Sequence, residues 1–267
     1  MESPAYENPD LAAAYEDGNR MPESSLRDWA LLIAGFAPRT PADVVEVGSG
    51  TGMFSEALVR HGNARRVLGV EPSPEMLGRA RLLHPGPRID YVAGSAQEIP
   101  SPGAAFDLLL LSRVIHHVPD RLACAREAAR VLRADGVVVI RTTFRERLDS
   151  LVYTYWPTTL AADLPRFPAK ADVVADFAAA GLGVLADTES SRPVAVDLRE
   201  YHTRLSLRPQ SKLAALPEDE FEAGLARLAA DAAAQSEAQS EAGALPGGGG
   251  AVVERYDVLV LGRACGV

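Results

Sequence analysis

The chain has 267 residues, of which 47% are hydrophobic and 24% are charged, as in an ordinary folded protein with room for a sizeable core. With 27 basic and 36 acidic residues the net charge is −9, so nucleic acid and anionic membranes are poor general partners. Two cysteines exclude a disulfide scaffold, and five scattered histidines predict no metal site. The opening MESPAYENPD resembles no secretory signal and no apolar run reaches membrane length, so we expect a cytoplasmic protein.

Short, continuous runs of valine, isoleucine and leucine predict strands that are buried on both faces, as in a parallel sheet. These runs are Asp43–Val47, Val67–Val70, Ile89–Val92, Phe106–Leu111 and Gly136–Ile140. Two further strands are predicted at Gly183–Asp187 and Tyr256–Leu261. The predicted helices of this part are Gly52–His61, Ser73–Leu83 and Asp120–Arg133. Ser73 is a suitable N-cap because Pro74 follows it at the first helical position. The alternation predicts a doubly wound α/β fold.

The pattern changes beyond Arg141. Residues Thr142–Phe167 combine aromatic residues with prolines and predict an irregular loop or a small insertion. Ala169–Ala180 and most of Leu198–Ala244 predict helices, and Gly247–Gly250 predicts a flexible loop. We therefore predict four parts. They are a helical N-terminal lid (1–40), an α/β core (41–190), a helical insertion before the last strand (191–250) and that strand returning to the core (251–267).

A glycine-rich turn, EVGSGTG at 46–52, follows the first predicted strand. Glycines let the backbone approach a ligand, and the next helix start offers free N–H groups, so a nucleotide-like cofactor is expected there. A dinucleotide motif needs a third glycine at position 53, where the chain has Met53. Glu71 ends the second strand, where a carboxylate can accept both hydroxyls of a ribose.

Five segments in order resemble the class I S-adenosylmethionine-dependent methyltransferases, in particular the branch of ubiquinone and menaquinone biosynthesis. They are EVGSGTG (46–52), GVEPSPEML (69–77), AGSAQEIP (93–100), FDLLLLSRVIHHVPD (106–120) and LRADGVVVI (132–140). The resemblance implies a seven-stranded, mostly parallel, Rossmann-like sheet whose last strand is antiparallel. It also implies S-adenosyl-L-methionine as cofactor and S-adenosyl-L-homocysteine as product.

The resemblance assigns cofactor-binding residues in the matched segments and the lid. They are Glu46, Gly48, Ser49, Gly50, Glu71, Pro72, Met76, Ser95, Ala96, Ser112, Arg113, Tyr15 and Arg20. The glycine loop would line the methionine part, Glu71 would bind the ribose, and Pro72 and Met76 would pack on the adenine. Ser95 stands where many relatives have aspartate, and its hydroxyl can still accept a hydrogen bond from adenine. Arg20 would pair with the cofactor carboxylate.

Two histidines, His116 and His117, follow the fourth strand, where the methyl acceptor must meet the cofactor. Neutral imidazole is a suitable base near pH 7, so we expect one of them, preferably His117, to take the acceptor's proton. The alternative is that they pack or orient the loop.

Substrate contacts are expected from segments outside the core. The candidates are Tyr6, Arg141, Tyr153, Tyr155, Trp156, Tyr201 and His202. The aromatic residues at 153–156 fit a planar or apolar acceptor, or equally a packing cluster over the sheet.

The sequence thus predicts a methyltransferase that acts on an oxygen, nitrogen or carbon atom of a small molecule, such as a natural-product intermediate. One alternative is an enzyme or binding protein that uses the same cofactor and fold without methylating. A second is an NAD-dependent dehydrogenase, which Met53 disfavours. The oligomeric state stays open.

Overall fold

The computed structural model describes residues 15–241 and 250–263, without the side chains of 239–241. The predictions for Tyr6 and for the loop residues 247–249 lie outside these ranges. The strands are β1 (Asp43–Val47), β2 (Arg66–Glu71), β3 (Ile89–Ala93), β4 (Phe106–Ser112), β5 (Leu132–Thr142), β6 (Gly183–Ala195) and β7 (Val252–Gly262). The helices are α1 (Glu23–Ala34), α2 (Met53–Arg60), α3 (Pro74–Leu83), α4 (Arg121–Val131), α5 (Val152–Tyr155), α6 (Pro157–Asp163), α7 (Lys170–Ala179), α8 (Leu198–Leu205), α9 (Ser211–Ala214) and α10 (Glu218–Glu241).

The seven strands form one sheet in the order β3-β2-β1-β4-β5-β7-β6. Strands β1 to β5 pair in parallel, and β7 runs antiparallel to both β5 and β6. This confirms the predicted doubly wound fold with an antiparallel last strand. The strand order reverses between β1 and β4, so a crevice opens at their carboxyl ends, where ligands bind in such sheets.

Local sequence explains the core elements. Strand β1 is buried along its whole length, as its continuous apolar run predicts. Helix α3 begins as predicted, with the Ser73 hydroxyl accepting the N–H of Met76 at 3.3 Å and Pro74 in the first turn. Helix α4 begins similarly, because the Asp120 carboxylate accepts the N–H of Ala123 at 2.9 Å.

Several predicted boundaries are wrong where tertiary pairing decides them. The helix predicted to reach Arg133 ends at Val131, because Leu132 already pairs with Phe106 of β4. Strands β6 and β7 pair from Gly183–Gly262 to Ala195–Val252, well beyond the apolar runs that predicted them. Backbone hydrogen bonds between β6 and β7 stabilise the polar ends of these strands. An apolar sequence pattern does not reveal this contribution.

The segment between β5 and α7 is not the irregular loop that was one reading of its sequence. It contains α5 and α6 and packs on the helices that follow β6. The resulting third apolar cluster, separate from the two that cover the faces of the sheet, comprises Val152, Tyr155, Trp156, Ala195, Tyr201, Leu205, Leu213, Phe221, Leu228 and Val252. We call the helices α5, α6, α8, α9 and α10, with the loops beside them, the cap. The cap includes residues 151–156, which the predicted boundaries assigned to the core.

Within 15–241 and 250–263, no helix combines the length and apolar character needed to cross a bilayer. The same residues contain no group of three or more side chains placed to hold a metal ion.

Candidate active site

A cavity of about 650 Å³ opens at the carboxyl edge of the sheet. Its walls come from the ends of β1, β2, β4 and β5, from the N-terminal segment and from the cap. The volume lies within the range of small-molecule sites, about 300–1,000 Å³. The half next to β1, β2 and β3 is called the cofactor half below, and the half next to α5, α6 and α9 the acceptor half.

The glycine loop brings bare backbone to the cofactor half. Gly48 and Gly50 have φ values of +69° and +55°, and both line the cavity. A side chain at Gly48 would overlap Val114, so only glycine lets the loop pass the end of β4. Ser49 lies between them with its hydroxyl turned into the core, where it has no hydrogen-bond partner among the described residues.

Glu71 joins the ends of β1 and β2. Its Oε2 accepts the N–H of Gly50 at 2.9 Å, and its Oε1 accepts the N–H of Ser73 at 3.1 Å. The carboxylate also faces the cavity. Because each carboxylate oxygen has two acceptor sites, these bonds leave capacity for ligand hydroxyls.

Glu46 lies behind the loop and outside the cavity wall. Its Oε2 accepts the Ser55 hydroxyl at 2.5 Å, which ties β1 to the first turn of α2. Burial and, to a lesser extent, the nearby charge of Glu71 raise the pKa of Glu46 to about 8. Glu46 therefore connects the strand before the glycine loop to the helix after it.

Most of the residues predicted to hold the cofactor meet in this cavity. Those that line it are Tyr15, Gly48, Gly50, Glu71, Pro72, Met76, Ser95, Ala96, Ser112 and Arg113. Glu46, Ser49 and Arg20 do not line it. The Arg20 guanidinium lies on the surface and contacts Asp17 at 3.3 Å, and its bond to a cofactor carboxylate stays a prediction.

The N-terminal segment covers the cofactor half. Residues 15–19 are helical, and the ring of Tyr15 lies beside Gly50 and lines the cavity. Asn19 donates to the carbonyl of Tyr15 at 2.9 Å and to that of Pro209 in the cap at 3.3 Å. The segment thus contacts the core on one side and the cap on the other, which is the arrangement expected of a lid.

Glu16, which the sequence analysis did not predict, connects the N-terminal segment to the core. Its buried carboxylate accepts the Thr51 hydroxyl of the glycine loop and lies 3.2 Å from Nε2 of His84. The other ring nitrogen of His84 lies 2.6 Å from Glu56. Burial alone would lower the pKa of His84, but the two carboxylates outweigh it and raise that pKa above its usual 6.5.

His116 and His117 both line the acceptor half, in a short 3-10 turn after β4. The His116 ring stacks on Phe167 with centroids 4.2 Å apart, and its Nδ1 has no partner among the described residues. Burial, followed by the charges of Arg166 and Arg113, lowers the pKa of His117 to about 4. Both rings are therefore neutral near pH 7, since the pKa of His116 is lowered as well.

A polar cluster in the acceptor half was not predicted. Asp163 Oδ2 accepts the Tyr153 hydroxyl at 2.9 Å and the Lys212 ammonium at 2.8 Å. All three side chains line the cavity, and Asp163 is buried. Glu254 of β7 faces the same space and accepts a hydrogen bond from the hydroxyl of Tyr256. Glu254 and Tyr256 could have been predicted as neighbours, because residues two apart on a strand lie on the same face. No local sequence pattern links Lys212 to Asp163.

Several predicted substrate residues lie elsewhere. Of that set, Tyr153 lines the cavity, while Arg141, Tyr155, Trp156, Tyr201 and His202 do not. Trp156 is fully buried, stacks on Phe221 and donates to its carbonyl at 3.0 Å, so the packing alternative is correct for it. The buried Arg141 guanidinium lies against Trp29 and Tyr256, with centroid distances of 4.4 and 3.8 Å.

Comparisons with known proteins agree with this geometry. Residues 45–140 match the family model described as a methyltransferase domain. A ubiquinone biosynthesis O-methyltransferase of Xanthomonas campestris is 32% identical over 134 residues, which are 48% of this chain and 55% of that protein. The chain therefore spans about half the length of this curated relative.

Two solved structures share the fold. A protein from Anabaena variabilis, described as a methyltransferase from an antibiotic biosynthesis pathway, superposes with a TM-score of 0.64 at 22% identity, covering 90% of this chain and 98% of that one. The cyclase SpnF superposes with a TM-score of 0.57 at 19% identity, covering 93% and 84%. At this identity the likeness concerns the fold alone, which hosts more than one reaction.

The domain match, the sheet order and the glycine-loop site together identify residues 45–140 as a methyltransferase domain of the α/β type.

Proposed function

We propose that this protein transfers a methyl group from S-adenosyl-L-methionine to a small molecule bound in the acceptor half of the cavity. The observation that carries the proposal is the continuity of one cavity from the glycine loop and Glu71 to His117 and Lys212. A cofactor in the first half and an acceptor in the second would meet at the end of β4.

The cofactor half fits this cofactor. The bare backbone at Gly50 suits a close approach by its amino-acid part, and Glu71 presents a carboxylate to the ribose hydroxyls. Pro72 and Met76 form an apolar wall for the adenine, and Ser95 supplies a hydroxyl near its edge. When bound, the cofactor supplies an electrophilic methyl group; the protein has to position the acceptor and exclude competing water.

The histidine pair is the candidate for taking up the acceptor's proton. His117 is neutral near pH 7 and lies in the wall where the acceptor must sit, which supports the role. Its low pKa sets a condition, because imidazole in this surrounding accepts a proton only from an acidic group. His116, stacked on Phe167, serves in this proposal to shape the same wall.

A discrete acceptor agrees with the enclosed site. The cap and the N-terminal segment surround the cavity, and the net charge of −9 disfavours a nucleic-acid substrate. We propose a cytoplasmic enzyme for a natural-product or quinone-like intermediate, in keeping with the names of the proteins that it resembles.

Calorimetric titration of the full chain with S-adenosylmethionine, S-adenosylhomocysteine and NAD tests the proposal. We expect micromolar binding of the first two and none of NAD. Glu71→Gln should weaken binding about tenfold or more, because it removes a charged acceptor of hydrogen bonds. Glu75→Gln is the matched control, since Glu75 is four residues away and does not line the cavity.

Release of S-adenosylhomocysteine with a panel of acceptors then separates methyl transfer from cofactor binding alone. Binding of NAD in place of the other two would support a dehydrogenase. Tight cofactor binding without any methylated product would favour a non-methylating enzyme or binding protein of this fold.

A further inference from the structure

The carboxylates that face the acceptor half are already occupied. Asp149 contacts Arg255 at 2.9 Å, and Asp163 receives Lys212 at 2.8 Å and Tyr153 at 2.9 Å. A cationic ligand would have to displace one of these partners. Breaking the buried Asp163–Lys212 pair is costly, because it leaves a charge without compensation.

Glu254, the third carboxylate of this wall, is held by two hydroxyl groups. Its Oε1 accepts the Ser150 hydroxyl at 2.9 Å, and its Oε2 accepts the hydroxyl of Tyr256. Burial and Glu254 raise the pKa of Tyr256 to about 12, so this phenol stays protonated and keeps donating. Of the three carboxylates, Asp149 and Asp163 are thus paired with cations, while Glu254 is held by two neutral hydroxyl donors.

The Arg166 guanidinium presents the opposite situation. Arg166 follows α6, lines the cavity and makes no ion pair or side-chain hydrogen bond with any described residue. Arg113, at the end of β4, donates to the neutral amide oxygen of Asn19 at 3.2 Å. Both charges act on the histidine pair, since each contributes to the low pKa of His117. Positive charge is thus in excess beside the place where the acceptor must react.

This excess selects among acceptors. Aliphatic amines are cations near neutral pH, and two guanidinium groups would repel them. Aliphatic alcohols are neutral, but they need a strong base to ionise, and a neutral histidine in this field is a weak one. Phenols, enols and carboxylic acids bring a negative charge of their own, which the guanidinium groups can receive.

We propose, resting on the methyltransferase function above, that the acceptor is an acidic molecule that binds as its anion, with Arg166 as its counter-charge. Its proton leaves to solvent when it ionises, so for an acceptor of this class the proton uptake proposed above for His117 is not needed. In the transfer, the anionic atom forms a bond to the methyl carbon while the bond from that carbon to the sulfonium sulfur breaks. The electron pair of that bond stays on sulfur, so an anion and a sulfonium become a neutral methylated product and a neutral thioether.

Three probes of nearly one shape test this charge preference: benzoate, benzamide and benzamidinium, which are anionic, neutral and cationic. Each is titrated into the full chain, with and without saturating S-adenosylhomocysteine, and binding is followed by ligand-detected NMR. We expect benzoate to bind at least about fivefold more tightly than benzamidinium. Arg166→Gln should remove most of that difference, and Arg166→Lys should retain part of it.

Arg145→Gln is the matched control, because Arg145 is exposed, pairs with Asp172 at 3.3 Å outside the cavity and gives the same change of net charge. Equal or tighter binding of benzamidinium, no binding of benzoate, or a benzoate preference that survives Arg166→Gln would each overturn the inference. Failure of S-adenosylhomocysteine to bind would instead refute the proposed function, while the charge preference would still be measured without it.

Discussion

The N-terminal segment is held over the cofactor half by hydrogen bonds that depend on pH. The ring of His84 lies between two carboxylates, with Nε2 at 3.2 Å from Glu16 and Nδ1 at 2.6 Å from Glu56. A neutral imidazole carries one N–H, so both contacts are donated only by the protonated ring. We call this arrangement the clasp. Because Tyr15 neighbours Glu16 and lines the cavity, loosening the clasp should weaken cofactor binding.

The two pKa shifts define the pH window of the clasp. The pKa of His84 is raised, so its contribution is complete below the usual value of 6.5 and is lost as pH rises through the raised value. Burial opposes ionisation of Glu16, but His84 and Thr51 outweigh it and lower its pKa. The contribution of Glu16 is therefore complete above its usual value of 4.5 and is lost as pH falls through the lowered one. The clasp should be strongest between these limits.

The expected magnitude follows from the burial of the pair. A hydrogen bond to a charged group contributes about 1.5–3 kcal/mol, and each 1.4 kcal/mol corresponds to about tenfold in affinity. His84 is 13% exposed and Glu16 keeps its bond to Thr51, so we take the lower end. His84→Gln should weaken S-adenosylhomocysteine binding about tenfold at about pH 6 and have little effect at about pH 9.

Calorimetry on both proteins at both pH values checks this. The comparison must be a ratio, because Glu46, with a pKa of about 8, also titrates in this range and affects both proteins alike. His61→Gln is the matched control: His61 likewise ends a helix and contacts a carboxylate, but that carboxylate is Glu23 of α1 at 2.8 Å and not Glu16 of the segment that covers the cavity. A ratio that does not change with pH would refute the reasoning.

Three further outcomes are expected. Deletion of residues 1–22 should weaken S-adenosylhomocysteine binding at least as much as His84→Gln, and unchanged calorimetric affinity would contradict the lid. Trp156→Ala should cost about 3–5 kcal/mol of unfolding free energy in urea while cofactor affinity is retained, because Trp156 is a packing residue; a loss of affinity without a loss of stability would place it in the site instead. Asp163→Asn should lower the free energy of unfolding by up to about 3 kcal/mol, because it leaves the Lys212 ammonium without its carboxylate. Adding Lys212→Met to the same chain should recover part of that loss. No recovery would show that Asp163 acts through another partner.

The positions of the cofactor residues were predictable because each follows a strand that is evident from its own apolar run. Gly48, Glu71 and Ser112 lie at the ends of β1, β2 and β4, and parallel pairing brings these carboxyl ends to one edge. Their convergence on one cavity needs only strand order and direction. The roles of these residues toward a bound cofactor stay predictions.

The acceptor half was much less predictable. Aromatic residues serve cores and cavities equally, so the sequence could not decide that Tyr153 lines the cavity while Trp156, three residues later, packs in the apolar core of the cap. The direction of a side chain on a short helix depends on what packs against it, here Phe221 from α10.

By itself, then, the sequence determined the doubly wound sheet and the glycine-loop edge, because both depend on local periodicity and on residues adjacent in the chain. Only the tertiary structure decided the Lys212–Asp163 pair, the Glu16–His84 clasp and the placement of Arg166 in the cavity wall without an ionic partner from residues 15–241 or 250–263. Each of these depends on which distant segments fold next to one another. Charges from distant segments become partners only when the packing of the cap and the N-terminal segment removes the water between them.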